Sequence, residues 1–125
     1  MSTPVTRLLP KLLWAGLIAE VAILLFAYWQ SNQQLLYALR IAARLSGRLS
    51  LIFFGLYVIH ALYRQSLHPG STALHEKYIL ARNFAIVHVI HLGILLAAIH
   101  FNNMELPLLR LAPGIITYMI ILFTP

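Results

Sequence analysis

The feature that most constrains this chain is an apolar run, residues 82–101, that contains His88, His91 and His100. The run is long enough to cross a bilayer as one helix. Ionisable side chains are costly at membrane depth and usually face a protein interior, a water-filled cavity or a cofactor. Residues three apart on a helix differ by about 60° in azimuth, so His88 and His91 share a face while His100 points to the opposite side. We therefore expect the function to involve His88 and His91.

The composition indicates a membrane protein. Hydrophobic residues make up 61% of the chain and charged residues 10%, whereas charged residues near a quarter are usual in soluble domains. The absence of cysteine excludes disulfides, thiolate metal sites, iron–sulfur clusters and covalently attached c-type haem. The formal charge of +6 lies on the flanks of the apolar segments, which favours contact with anionic lipid and excludes nucleic acid as the expected partner.

The apolar segments predict an all-α fold, an integral membrane helical bundle with three to four transmembrane helices in a single domain, residues 1–125. The candidate spans are residues 12–29, 46–64, 79–101 and 108–124. Arg110 and Pro113 interrupt the last segment and leave about a dozen residues, fewer than the roughly 20 that a span needs. We therefore expect either a partial span or one end of a longer protein, which would make this chain part of a larger six-helix bundle.

A polar segment separates the second and third predicted spans. Residues 65–76 contain Pro-Gly and Ser-Thr pairs typical of a loop. If the spans alternate in direction, five basic residues lie on the side of the amino terminus and four on the other side, which predicts a cytoplasmic amino terminus.

The first span combines small residues with one acid. Ala15, Ala19 and Ala22 share a face beside Gly16, and small residues allow another helix to approach closely. Glu20 lies in the middle of the span, either as a proton-relay or cofactor-side carboxylate or, as we favour, as a protonated side chain bonded to a neighbouring helix.

Residues 35–48 read as a basic amphipathic helix that continues into the second span. Arg40, Arg44 and Arg48 follow at four-residue spacing and form one stripe. We expect this stripe to bind lipid phosphates at the membrane surface. The alternative assigns one of these arginines to the carboxylate of a cofactor.

Histidines on neighbouring spans suggest a haem b site. Counted from Arg64 and Arg82 at one membrane surface, His60 and His88 lie at similar depths of about 6 and 9 Å. Imidazoles from different helices at similar depth are what axial ligation of a haem requires. Gly55 and Gly93 would leave room for the macrocycle, and the cationic side chains near the surface would neutralise haem propionates; these are Arg64, Lys77 and Arg82.

A zinc or non-haem iron site is a weaker interpretation, because the one carboxylate near the histidines is Glu20. By spacing alone, histidines that hydrogen-bond between helices explain the pattern equally well.

Two segments resemble consecutive spans of ferric-reductase-like transmembrane domains. They are GRLSLIFFGLYVIHALYR, residues 47–64, and YILARNFAIVHVIHLGIL, residues 78–95. The resemblance rests on the Gly-Arg pair that opens a span ending in His60, and on the His-x-x-His of His88 and His91. That family includes haem-binding membrane subunits of bacterial methionine sulfoxide reductase systems, ferric reductases and NADPH oxidases.

The resemblance implies haem b held between histidines of different helices, electron transfer across the bacterial inner membrane, and a quinol or a reductase or flavin partner. It ranks His88 first as an axial ligand, then His91, then His60. In the family, a further ligand comes from a later helix, beside a basic Leu-His stretch. This sequence lacks such a stretch, so the second axial ligand is unassigned. We therefore again expect a longer protein.

The primary hypothesis is thus a haem b electron-transfer protein and, if it is an enzyme, the membrane subunit of an oxidoreductase. One alternative is a haem-free membrane scaffold or assembly subunit whose histidines make helix contacts. Another is a small proton or cation translocator that uses Glu20 with His88 or His91 as a relay. No pairing of a nucleophile with a base is visible in the sequence, so hydrolytic chemistry has no support.

Overall fold

Three long helices make up the described part of the chain. The structure, a computed structural model, describes residues 4–67 and 70–103 and the positions 112, 114–116 and 119. The helices are α1 (Pro4–Gln30), α2 (Leu35–Leu67) and α3 (Ser71–Phe101). Each contains a stretch long and apolar enough to cross a membrane: Arg7–Gln30, Leu35–Tyr63 and Ala73–Phe101. The predicted all-α membrane bundle is confirmed.

The helix boundaries agree with one prediction and differ from another. The basic segment and the second span form one helix that begins at Leu35, as the continuation predicted. The predicted loop at residues 65–76 is much shorter, because α2 runs to Leu67 and α3 begins at Ser71. Gly70 precedes α3 with an extended backbone, φ −155° and ψ 168°, so the helix begins directly after it. The predicted fourth span at residues 108–124 lies largely outside the described residues.

A tight turn of four residues, 31–34, reverses the chain between α1 and α2. Asn32 and Gln33 have φ of 53° and 64°, the left-handed conformation that directs the chain back along α1. The Ser31 hydroxyl donates a hydrogen bond of 2.8 Å to the Tyr28 carbonyl and satisfies an acceptor in the last turn of α1. The two helices therefore run antiparallel.

Asn102 joins the end of α3 to the beginning of α2. Its side-chain amide donates to the Ala98 carbonyl at 2.8 Å and to the Leu36 carbonyl at 3.1 Å. The first bond caps the last turn of α3, and the second places Leu36 at the level of Asn102. This contact sets the antiparallel register of α2 and α3.

The centre of the bundle is packed around a glycine. Phe53, Phe84 and Val87 form a buried cluster between α2 and α3. Gly16 of α1 faces this cluster so closely that an added Cβ would lie 2.6 Å from Phe53 Cζ. Of the small residues predicted to allow this approach, Gly16 is buried in the contact, whereas Ala15 and Ala22 are exposed. The buried face of α1 is rotated by about one residue and carries Gly16, Glu20 and Ala27.

We expect Gly16→Ala to destabilise the bundle despite the higher helix propensity of alanine. Because the Cβ would meet the ring of a buried phenylalanine, the substitution should cost about 1–3 kcal/mol of the free energy of unfolding in detergent. Gly55→Ala is the matched control, since nothing lies within 4 Å of a Cβ built there. Equal stability of the two variants would contradict this packing.

Candidate functional site

A buried carboxyl group links α1 to α2 near the middle of the bundle. The Ser46 hydroxyl donates a hydrogen bond of 2.7 Å to Glu20 Oε1. Both residues are almost fully buried, with Glu20 only 2% exposed, and Glu20 Oε2 is buried without a hydrogen-bond partner. The interpretation of Glu20 as a side chain bonded to a neighbouring helix agrees with this contact.

The two central histidines of α3 face α2. His88 Nδ1 lies 2.7 Å from the Ser50 hydroxyl oxygen, in a hydrogen bond whose direction depends on the tautomer of the ring. The His91 ring packs against Gly47, where an added Cβ would lie 3.0 Å from His91 Cε1. His91 Nδ1 is buried without a hydrogen-bond partner. The two imidazoles are adjacent, with ring centroids 5.7 Å apart and an interplanar angle of 53°.

These contacts form one polar cluster, because the residues that α2 contributes to them lie within about one turn of that helix. Ser46 and Ser50 are four residues apart on the buried face of α2, and Gly47 lies beside them. We call the group formed by all three helices the central cluster, and its members are Glu20, Ser46, Ser50, His88 and His91. It combines a carboxyl group, two hydroxyl groups and two imidazoles within an otherwise apolar bundle.

A second polar contact lies toward the other end of α3. His60 Nε2 is 2.9 Å from Glu76 Oε2, and Glu76 is fully buried. His60 Nδ1 is buried without a hydrogen-bond partner. About two helical turns further along α3, the buried Asn83 amide donates to the Leu9 carbonyl of α1 at 2.9 Å. This end of the bundle is thus held by side chains of α2 and α3 and by a backbone carbonyl of α1.

The register separates His60 from His88. His60 is level with Glu76, whereas His88 is level with Ser50, which is ten residues or about 15 Å away along α2. The expectation that His60 and His88 lie at similar depth is therefore wrong. The cause is the short α2–α3 connection: Arg82 lies eleven residues inside α3 and does not mark the beginning of that helix as the depth count assumed.

The remaining predicted residues are not part of the central cluster. Arg82 is exposed on α3, six residues before His88. Arg64 lies in the last turns of α2, and its side chain is outside the described part of the structure. His100 is exposed with its ring against Phe101, so it is not part of the central cluster. Added Cβ atoms at Gly55 and Gly93 would meet nothing within 4 Å, so these glycines do not line the contact between the helices.

Sequence reasoning missed Ser46, Ser50 and Glu76 as site residues. The serines could have been found from their spacing, because they are four residues apart on the side of α2 opposite the arginine stripe. Glu76 was assigned to a loop, and nothing in its immediate neighbourhood indicates that it faces His60.

The side chains of the central cluster limit the metal ion or cofactor that it could hold. No three histidine, cysteine or acidic side chains within the described residues come together as a metal site. Two histidines of one helix cannot lie on opposite faces of a single haem, and the close approach of Gly47 to His91 leaves no room for a macrocycle between these two residues. The His88 imidazole nevertheless has the hydrogen bond through Nδ1 that commonly orients a ligating histidine. The described residues therefore fit one axial ligand of a haem but not the pair.

The His60–Glu76 contact predicts a stability effect at that end of the bundle. Glu76→Ala should lower the free energy of unfolding in detergent by about 1 kcal/mol, because it leaves His60 Nε2 buried without its acceptor. His75→Ala, one position earlier and exposed, is the control and should have no effect. A loss of stability in the control as large as that of Glu76→Ala would contradict a specific role for the pair.

Comparisons with models of known protein families, with curated proteins and with solved structures find no match to this chain. The similarity of residues 47–64 and 78–95 to ferric-reductase-like spans therefore stays a prediction from the sequence.

Proposed function

We propose that this chain is the membrane subunit of a haem b electron-transfer protein, with one axial ligand supplied by α3. The observation that carries the proposal is the 2.7 Å contact between His88 Nδ1 and the Ser50 hydroxyl. When Nδ1 donates to an oxygen acceptor, the ring is held in the tautomer whose lone pair is on Nε2, the nitrogen that usually binds a haem iron. The Ser50 hydroxyl, buried between two helices, fixes the orientation of the ring and can accept the hydrogen bond that this tautomer donates.

His88 is the first choice for the ligand, and His91 is the second. His91 occupies the same face one turn along α3, but its Nδ1 has no partner to fix the ring. His60 is engaged by Glu76 at another level of the bundle, so it is no longer a candidate for the haem ligated by His88. The second axial ligand then has to come from outside the described residues or from another polypeptide. Arg82, six residues before His88 on α3, is the candidate to neutralise a propionate.

Bound haem b supplies reversible transfer of single electrons. The described helices would orient one ligand and exclude water from the site, while the electron donor would be a quinol or a reductase or flavin partner. This arrangement suits the membrane subunit of an oxidoreductase in a bacterial inner membrane.

The proposal predicts a coloured protein whose colour depends on α3. The full chain purified from membranes should show a Soret band and sharp α and β bands after reduction. His88→Ala should remove most of the haem, because it removes the oriented imidazole, and Ser50→Ala should retain haem with an altered spectrum.

His100→Ala is the matched control, since it removes an exposed histidine from the same helix. A folded but colourless wild-type protein would overturn the proposal. Unchanged haem content in both His88→Ala and His91→Ala would reject the ligand assignment.

The buried carboxyl group of Glu20 favours proton translocation as a second candidate function. A row of polar side chains leads from α1 through α2 to α3, and it consists of Glu20, Ser46, Ser50 and His88. Hydroxyl groups and imidazoles both accept and donate protons, so such a row is a candidate path for protons within an apolar bundle.

Proton flux in vesicles tests this second function. Glu20→Gln keeps the size of the side chain and its acceptor for Ser46 but removes the titratable group, so it should abolish the flux. Glu76→Gln is the control, because it changes the other buried carboxyl group, which lies outside the central cluster. Undiminished flux in Glu20→Gln would exclude the relay.

A further inference from the structure

Three arginines form an exposed stripe along the outside of α2. Arg40, Arg44 and Arg48 are spaced by four residues and are all exposed. The opposite side of α2 carries the small side chains that contact α1 and α3, namely Ala38, Ala42, Ala43, Ser46 and Ser50, all of them buried. The arginines therefore point away from the bundle. We call this surface the arginine face.

The register places the arginine face at membrane depth. Asn102 lies beside Leu36, and His91 lies beside Gly47, so the stripe runs along the second half of α3. That half belongs to the apolar stretch from Arg82 to Phe101, whose length of about 28 Å equals the thickness of a hydrocarbon core. Arg48 is twelve residues or about 18 Å from Leu36 and is thus close to the middle of the bilayer.

The surroundings of the stripe are apolar. The neighbouring helices expose large hydrophobic side chains over the same depth, among them Ile18, Val21 and Leu25 of α1 and Val89 and Leu96 of α3. An arginine facing lipid at the centre of a bilayer costs about 3 kcal/mol or more. Arg44 and Arg48, the two deeper members of the row, therefore require a counter-charge on this surface.

This chain offers little negative charge for that purpose. Glu20 and Glu76 are buried and bonded to Ser46 and His60 inside the bundle. The third acid of the sequence, Glu105, precedes the segment 108–124, which contains no acidic residue. A second copy of these residues would present the same buried acids, so neither residues 1–125 nor a pair of them supplies carboxylates at the spacing of the stripe.

Lipid phosphates and a cofactor match the stripe poorly. Arg40 lies near the membrane surface and can extend to a phosphate, but Arg48 is deeper than one side chain can span. The stripe extends over eight residues, or about 12 Å, and a single pair of cofactor carboxylates does not cover three arginines at that separation. A helix that carries carboxylates at four-residue spacing matches the stripe in both length and charge.

We propose that the arginine face is the docking surface for a transmembrane helix of a partner polypeptide that carries carboxylates at four-residue spacing. The helix would lie alongside the first half of α2 and pair its acids with Arg40, Arg44 and Arg48 within the bilayer. This inference rests on charge and depth and does not depend on haem binding or on proton transfer by the central cluster.

Synthetic transmembrane peptides test the proposal. The probe is a labelled Leu-Ala helix with three glutamates at four-residue spacing, and its counterpart carries glutamines at the same positions. Both are mixed with the labelled full chain in phosphatidylcholine vesicles, and association is measured by energy transfer. We expect the glutamate helix to bind at least about tenfold more tightly, which corresponds to 1.4 kcal/mol.

Variants identify the surface that binds. The double variant Arg44→Gln with Arg48→Gln should bind the glutamate helix no better than the glutamine helix, and it changes exposed positions only, so circular dichroism should show an unchanged helix content. Arg7→Gln with Lys11→Gln is the matched control, because it removes two exposed charges from α1. Equal binding of the two peptides, or undiminished binding by the Arg44–Arg48 variant, would overturn the proposal. Displacement of the peptide by equimolar phosphatidylglycerol would overturn it in favour of lipid.

Discussion

The structure depends on the rule that a polar group within the membrane must find its partner inside the protein. Lipid offers no hydrogen bonds, so each buried polar side chain has to be matched by another helix. Ser46 donates to Glu20 Oε1, Ser50 contacts His88, and Asn83 donates to a carbonyl of α1. Because apolar helices gain little from contacting one another in place of lipid, these few bonds fix which faces meet.

The second helix contributes most to this arrangement because its two sides differ. One side carries alanines, a glycine and serines, which let α1 and α3 approach and reach its hydroxyl groups. The other side carries the arginine face. A helix with this composition would be unfavourable as an isolated span, since three exposed cations would face lipid. Its position is explained if the small side contacts α1 and α3 and the charged side contacts a further acidic group.

The sequence predicted the helical membrane fold from hydropathy alone, and it predicted that His88 and His91 share a face. It did not predict the register, because register depends on where each helix begins. Glycine and proline near residue 70 indicated a break between helices. Its length could not be predicted, because the residues on either side are compatible with a helix as well as with a loop. That error of about ten residues placed His60 beside His88 and left Glu76, its actual partner, in a loop.

The corrected register changes what can be argued about the histidines. Two imidazoles at one depth on different helices would favour a cofactor between them. In the described bundle, however, His88 is the one oriented imidazole that could bind a cofactor, because His60 makes an interhelical contact with Glu76. A haem ligated by His88 consequently needs a ligand from elsewhere, and the arginine face needs a counter-charge from elsewhere. These two requirements arise from different residues on different helices. Both are met if the described three-helix unit is one part of a larger membrane assembly.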